Sequence, residues 1–202
     1  MSIDIIHFKC VLLGETNAGK TSLLKKYIDN TFTNDSKSTI GCAYNSKLIT
    51  FKKKSIKLDI WDTAGQEKYR SMLPMYYKNA KIVFICFDLS REDSQLDDSI
   101  NYWLNELENN CDIDDREIIF VGTKSDNKID SAENTINNLT TNYPEIKLIE
   151  TSSKTGKNVE HLFTFISKKL LDDFLKLEEE SEPIPNLVME ENEVGCFKCN
   201  IS

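Results

Sequence analysis

No apolar run in this 202-residue chain approaches the ~20 residues that a membrane-spanning helix needs. The longest, such as "IVFICF", suit buried strands instead. The opening "MSIDIIHFK" has no basic start followed by an apolar block, so no signal peptide is expected, and the second residue is Ser2 rather than the glycine that myristoylation requires. No basic stripe exists, which argues against nucleic acid as a partner. Arginine is scarce: Arg70, Arg91 and Arg116 are the whole supply. The six cysteines are scattered at 10, 42, 86, 111, 196 and 199, and Cys10 and Cys86 fall inside apolar runs as small core residues. Without a secretory signal, free thiols in a reducing compartment are expected.

What is present is an ordinary globular composition, 40% apolar and 29% charged, enough for one domain with a full core. The net charge is -8, and it is concentrated. Residues 178–202 hold seven glutamates and one lysine, a balance of -6, which leaves -2 for the rest. This acidic, proline-containing end reads as a flexible tail behind a domain at 1–177.

Within 1–177, "HFKCVLLG", "KIVFICFDLS", "EIIFVGTKSD" and "IKLIETSS" read as strands, the first two apolar on both faces. "AYNSKLITF" and "SIKLDIW" pair as an antiparallel hairpin across Lys52–Lys54. The ten residues "WDTAGQEKYR" are read as leaving the strand alternation. Helical spacing appears in "KTSLLKKYI", in the stripe Leu96, Ile100, Trp103, Leu104, Leu107, and in the stripe Leu162, Phe163, Ile166, Leu170, Phe174, with Asn158 as cap. Alternating strands and helices imply an α/β fold with a mostly parallel sheet, whose ligands bind at the carboxyl ends of the strands.

The first of those ends is "GETNAGKTS": Gly14, Glu15, Thr16, Asn17, Ala18, Gly19, Lys20, Thr21 and Ser22. This is G-x-x-x-x-G-K-T between strand and helix, a loop whose N–H groups surround phosphate oxygens. Lys20 reaches the β- and γ-phosphates, and the Thr21 hydroxyl suits Mg²⁺. At the end of the third strand, Asp62 can hold a magnesium-bound water, Gly65 lets its N–H approach a terminal phosphate, and Gln66 can orient an attacking water. Taken alone Gln66 is an ordinary surface glutamine; the set is what carries meaning. In "GTKSD", Asp126 can accept from guanine N1–H and N2–H, a donor pair adenine lacks, while Lys124 lies along the ring. In "ETSSKTG", which contains Ser152, the Ser153 N–H can bind guanine O6 and Lys154 can cover the base.

Over residues 7 to about 176 these elements resemble the Ras superfamily of small GTPases, and "STIGCAY", "KLDIWDTAGQEKYRSMLPMYY" and "FICFDLS" resemble its Rab branch, most of all the early-endosomal group. The resemblance implies a P-loop NTPase fold: one six-stranded, mostly parallel sheet with one antiparallel strand and about five helices over both faces. It implies a GTP-on, GDP-off switch that regulates vesicle and endosomal traffic, with Mg²⁺ as cofactor. Thr39 becomes the switch threonine, joining Thr21 on the metal, and Phe32 the aromatic against guanine. Ile40, Phe51, Trp61 and Tyr76 become the effector-facing set, although Phe51 and Trp61 equally suit ordinary strand packing. The alternative is a Rho- or Ras-like signalling GTPase.

Three positions depart from the family pattern: Thr123 stands for the usual Asn, Ser153 for the usual Ala, and Thr16 for a small residue beside the γ-phosphate, where it would crowd Gln66. A fully equipped site places an arginine on the transferring phosphoryl group. The position before Thr39 that could carry one in cis is Lys37, read through the pattern, and Arg70 reads as a surface contact, so slow turnover and an activating partner are expected.

The chain ends "GCFKCNIS", and Cys199 begins a C-a-a-X sequence ending in serine, which by itself suggests a farnesyl group. Cys196 offers a second site, and the resemblance favours two geranylgeranyl groups. One lipid anchors only marginally, and this acidic tail is repelled by anionic lipid, so the physics also asks for two. The partners implied are an exchange factor, a GTPase-activating protein, GTP-state effectors, a dissociation inhibitor or escort protein, and a prenyltransferase. The implied location is the cytoplasmic face of endosomal or other vesicle membranes, with a cytosolic pool.

Overall fold

A computed structural model describes residues 5–34, 38–51, 54–91, 96–110 and 116–180. Lys37, Lys52, Lys53 and the tail bearing Cys196 and Cys199 lie outside these residues. Six strands form one sheet: β1 (Ile5–Leu13), β2 (Cys42–Phe51), β3 (Lys54–Thr63), β4 (Ile82–Asp88), β5 (Glu117–Thr123) and β6 (Lys147–Glu150). Their order is β2-β3-β1-β4-β5-β6, with β2 antiparallel to β3 and every other pair parallel. The expected architecture is therefore present.

Among the described residues five helices cover the sheet: α1 (Lys20–Asp29), α2 (Leu73–Tyr77), α3 (Leu96–Asn110), α4 (Ala132–Asn142) and α5 (Val159–Glu180). Short 3₁₀ turns occupy Glu67–Met72 and Ser125–Asn127. On one face, Leu23, Leu24 and Tyr27 of α1 and Leu162, Phe163 and Ile166 of α5 pack on Cys10, Leu12, Phe84 and Val121. Tyr27 stacks on Phe163 at 3.7 Å between ring centres. On the other face, α2, α3 and α4 cover Val11, Val83, Ile85 and Phe120. Strands with both faces buried need apolar residues at consecutive positions, which is why β4 is buried at all seven of its residues. No described helix is long and apolar enough to cross a membrane.

Two readings from sequence change. Trp61, Asp62 and Thr63 continue β3 rather than leaving it, because they bond to neighbours on both sides: Asp62 lies opposite Leu12 of β1, and Thr63 opposite Cys42 of β2. Asn158 does not cap α5 with its side chain. Its backbone is left-handed, its amide donates to the Glu150 carbonyl at 2.9 Å, and only its own carbonyl enters the helix, accepting from the Leu162 N–H.

Candidate functional site

The parallel strands all end on one side, and there a cleft of about 780 Å³ opens. Thr16, Asn17, Ala18, Gly19, Lys20, Thr21 and Ser22 line it from the loop after β1. Phe32 and Thr39 line it from the segment before β2, and Gly65 and Gln66 from the segment after β3. Thr123, Lys124, Asp126, Ser153 and Lys154 complete the far wall. Gly14, Glu15, Asp62 and Ser152 do not line it but bond to residues that do. Asp88, at the end of β4, and Arg91 also face the cleft, and neither was singled out from sequence.

The loop after β1 is shaped by contacts that only glycine allows. Gly14 has φ 140°, and a β-carbon on it would overlap the Cys86 carbonyl oxygen. A β-carbon on Gly65 would strike the Glu15–Thr16 peptide. Gly65 is therefore pressed against the phosphate loop itself, a reason for glycine beyond the approach to a phosphate that the sequence suggested. Lys20 is buried to 5% exposure and donates to the Gly14 carbonyl at 2.7 Å and the Glu15 carbonyl at 2.9 Å. Burial lowers its pKa, and the nearby Asp62 and Glu15 carboxylates offset part of that. Burial also pushes the Cys86 thiol up to about 12, which keeps it an inert neighbour.

Three oxygens from separate elements meet beside this lysine. Thr21 Oγ1 donates to Asp62 Oδ2 at 2.7 Å, Thr39 Oγ1 lies 2.8 Å from Thr21 Oγ1, and Thr39 Oγ1 lies 3.4 Å from Asp62 Oδ2. Asp62 is 1% exposed, and its Oδ1 is buried with no hydrogen-bond partner. Burial raises the Asp62 carboxyl pKa, an effect that its hydrogen bonds from Thr21 and Thr39 and the nearby Lys20 charge only partly offset. A buried carboxylate with a spare oxygen and an all-oxygen donor set fits a hard divalent cation such as Mg²⁺. No group of three or more His, Cys, Asp or Glu side chains that could hold a metal ion exists among the described residues.

The far wall is built on its own network. Asp126 Oδ1 accepts from Ser152 Oγ at 2.6 Å, and Lys154 Nζ stands 3.9 Å from Asp126 Oδ2. Lys124, left-handed at φ 57°, pairs with the buried Asp88 at 2.5 Å. Thr123 explains its own departure from the family pattern. Its hydroxyl lies 2.8 Å from the Ala18 carbonyl and 3.0 Å from that of Phe87, so it ties β5 to the phosphate loop. Thr123→Val keeps the shape but leaves those buried carbonyls without this donor. The expected loss is about 1–3 kcal/mol of stability, read as a lower urea midpoint. An unchanged midpoint would remove the hydroxyl from this role.

The aromatic surface needs one correction. Of the set read as effector-facing, Trp61 packs on Tyr76 at 5.8 Å, and its second aromatic neighbour is Tyr44 at 5.3 Å, a residue that set left out. Phe51 packs with the α1/α5 core on the opposite face of the sheet. The reason is parity: Tyr44 and Phe51 are seven apart on β2, and strand side chains alternate. Ile40 is 81% exposed, and Tyr44 donates to Asp59 at 2.6 Å. Arg70 is likewise more than a surface contact. It donates to Glu15 at 3.1 Å and lies over the Tyr102 ring at 4.5 Å.

Residues 9–172 match the Ras family. The chain is 35% identical to the GTP-binding protein YPT52 of Saccharomyces cerevisiae, with 83% of each chain covered. It is 36% identical to the Ras-related protein Rab-5A of Dictyostelium discoideum, with 82% of each covered. It is 34% identical to the Ras-related protein Rab-2B of the same organism, over 81% of this chain and 80% of that one. With the family match over most of its length and these relatives, the chain belongs to the Ras family and is a small GTPase of the Rab type.

Proposed function

We propose that the cleft holds GTP or GDP with Mg²⁺ and that the bound γ-phosphate sets the conformation of the segments around Thr39 and Gln66. The single observation that carries this reading is the meeting of Thr21, Thr39 and Asp62 oxygens beside buried Lys20. Thr39 lies 18 residues from Thr21 and has no local reason to be there; a shared ligand supplies one.

In this reading the guanine edge faces Asp126 and the Ser153 N–H, with Lys124 and Lys154 against the ring and Phe32 at the rim. Ser152 fixes Asp126 by occupying one lone pair, leaving the carboxylate to accept from N1–H and N2–H. Lys20 and the loop N–H groups meet the β- and γ-phosphates. Thr21 and Thr39 would hold Mg²⁺, with Asp62 acting through a water; when bound, the ion supplies positive charge to the phosphate oxygens. Gln66 orients a water, whose oxygen bonds to the γ-phosphorus as the bond to the β-phosphate bridging oxygen breaks, giving GDP and phosphate. Arg91 lines the cleft and Arg70 is engaged with Glu15 and Tyr102, and in this reading an activating partner supplies the finger. Such a finger contributes on the order of 10³–10⁵ in rate.

Loss of the γ-phosphate releases both segments, and effectors reading Ile40, Tyr44, Trp61 and Tyr76 lose their surface. The protein thereby times vesicle traffic on the cytoplasmic face of endosomal or related membranes. Anchoring falls to Cys196 and Cys199, served by a prenyltransferase and its escort, with a dissociation inhibitor holding the cytosolic pool and an exchange factor reloading GTP. The relatives favour this Rab reading over a Rho- or Ras-like one. Protein stripped with EDTA and returned to magnesium should bind labelled GDP and GTP and be displaced by neither ATP nor ADP. Equal displacement by ATP would reject the guanine wall.

A further inference from the structure

Glu15 is where four parts of the site meet. Its carbonyl accepts from Lys20 Nζ, and its peptide with Thr16 is what a β-carbon on Gly65 would strike. Its carboxylate Oε1 accepts from Arg70 Nη2 at 3.1 Å and from Ser99 Oγ of α3 at 3.2 Å. Arg70 in turn lies over the ring of Tyr102, one helical turn beyond Ser99. Gln66 sits between these attachments. The residue before it rests on the Glu15–Thr16 peptide, and its own carbonyl accepts from the Tyr69 N–H at 3.0 Å, opening the turn that carries Arg70. The chain on both sides of Gln66 is thus referred to one residue of the phosphate loop.

We propose that Arg70 is a positioning residue for GTP hydrolysis: by clasping Glu15 against α3 it fixes where Gln66 stands relative to the phosphate loop. The proposal rests on the role assigned to Gln66 above. The Arg70 and Glu15 side chains are 34% and 32% exposed, so the pair contributes little to stability. Its value is geometric. A planar fork that bonds a carboxylate while stacking on a ring fixes two directions at once, which a lysine cannot do. The chemistry is sensitive to such placement, since a shift of about 1 Å at a reacting group can cost roughly 10²-fold.

The test is single-turnover hydrolysis by the full chain loaded with GTP, with nucleotide affinity and thermal melting measured on the same samples. Arg70→Ala should slow hydrolysis by about tenfold while GTP affinity stays within about twofold and the melting temperature is unmoved. Arg70→Lys should recover only part of the rate. Glu15→Gln should also slow hydrolysis, and the double variant should be no slower than the slower single, because both changes break one contact. Gln66→Leu is run alongside. Wild-type speed in that variant removes the assignment of Gln66; a slow Gln66→Leu beside a wild-type-like Arg70→Ala removes the clasp alone. Additive losses in the double variant, or equal losses of rate and affinity, would also overturn it.

Discussion

Gln66→Leu should leave GTP bound and almost unhydrolysed, with the single-turnover rate lower by roughly 10²–10³. The leucine keeps the size of the side chain and removes its ability to accept from and donate to a water. Gln66 lines the cleft together with Gly65 and the loop residues Thr16–Ser22. None of the groups that hold the guanine or the β-phosphate is touched, so affinities for GDP and GTP should be unchanged. Phosphate release from preloaded protein gives the rate, and displacement of labelled nucleotide gives the affinity. A rate within about threefold of wild type would remove Gln66 from the reaction and leave the water to be placed by the backbone alone.

Lys20→Met is the second large effect, and it falls on binding. Lys20 is almost wholly buried, so its charge is not screened by water where it meets phosphate. Hydrogen bonds to charged groups are worth about 1.5–3 kcal/mol each, so losing contacts to two phosphates should weaken GDP and GTP binding by roughly 10²–10⁴. Methionine keeps the volume and leaves the Gly14 and Glu15 carbonyls without their Lys20 donor. Calorimetry on the purified variant measures the loss, and a circular-dichroism melt confirms that it is folded. A folded variant that binds within about tenfold of wild type would place the phosphates elsewhere.

Much of this site was legible because its chemistry is local. The stretch from Gly14 to Ser22 needs only a strand before it and a helix after it, and both were visible in "HFKCVLLG" and "KTSLLKKYI". Asp126, Lys124 and Lys154 were legible from their places at strand ends. What escaped depended on partners distant in sequence. Trp61–Thr63 looked like the start of a loop because Gly65 follows, yet bonding from both β1 and β2 holds those residues in the strand. The α4 helix carries only Ala132, Ile136 and Leu139 on its buried side amid asparagines and threonines of low helix propensity. Its packing against the sheet, not its propensity, makes it a helix. Tyr44 was within reach: counting parity along β2 separates it from Phe51. The Glu15–Arg70 contact was not, since 55 residues lie between them and either partner alone reads as a surface charge.

Helix α5 sets a direction for the whole molecule. It leaves the cleft end just after Lys154 and runs back for 22 residues, roughly 33 Å. Its far half touches the starts of strands: Lys169 pairs with Glu117, the first residue of β5, and the Phe174 ring lies under the ammonium of Lys54, the first residue of β3. Helix α5 therefore ends at the pole opposite the cleft. If lipids on Cys196 and Cys199 anchor the protein as proposed above, the tether would join the domain through the end of α5, on the side away from the cleft.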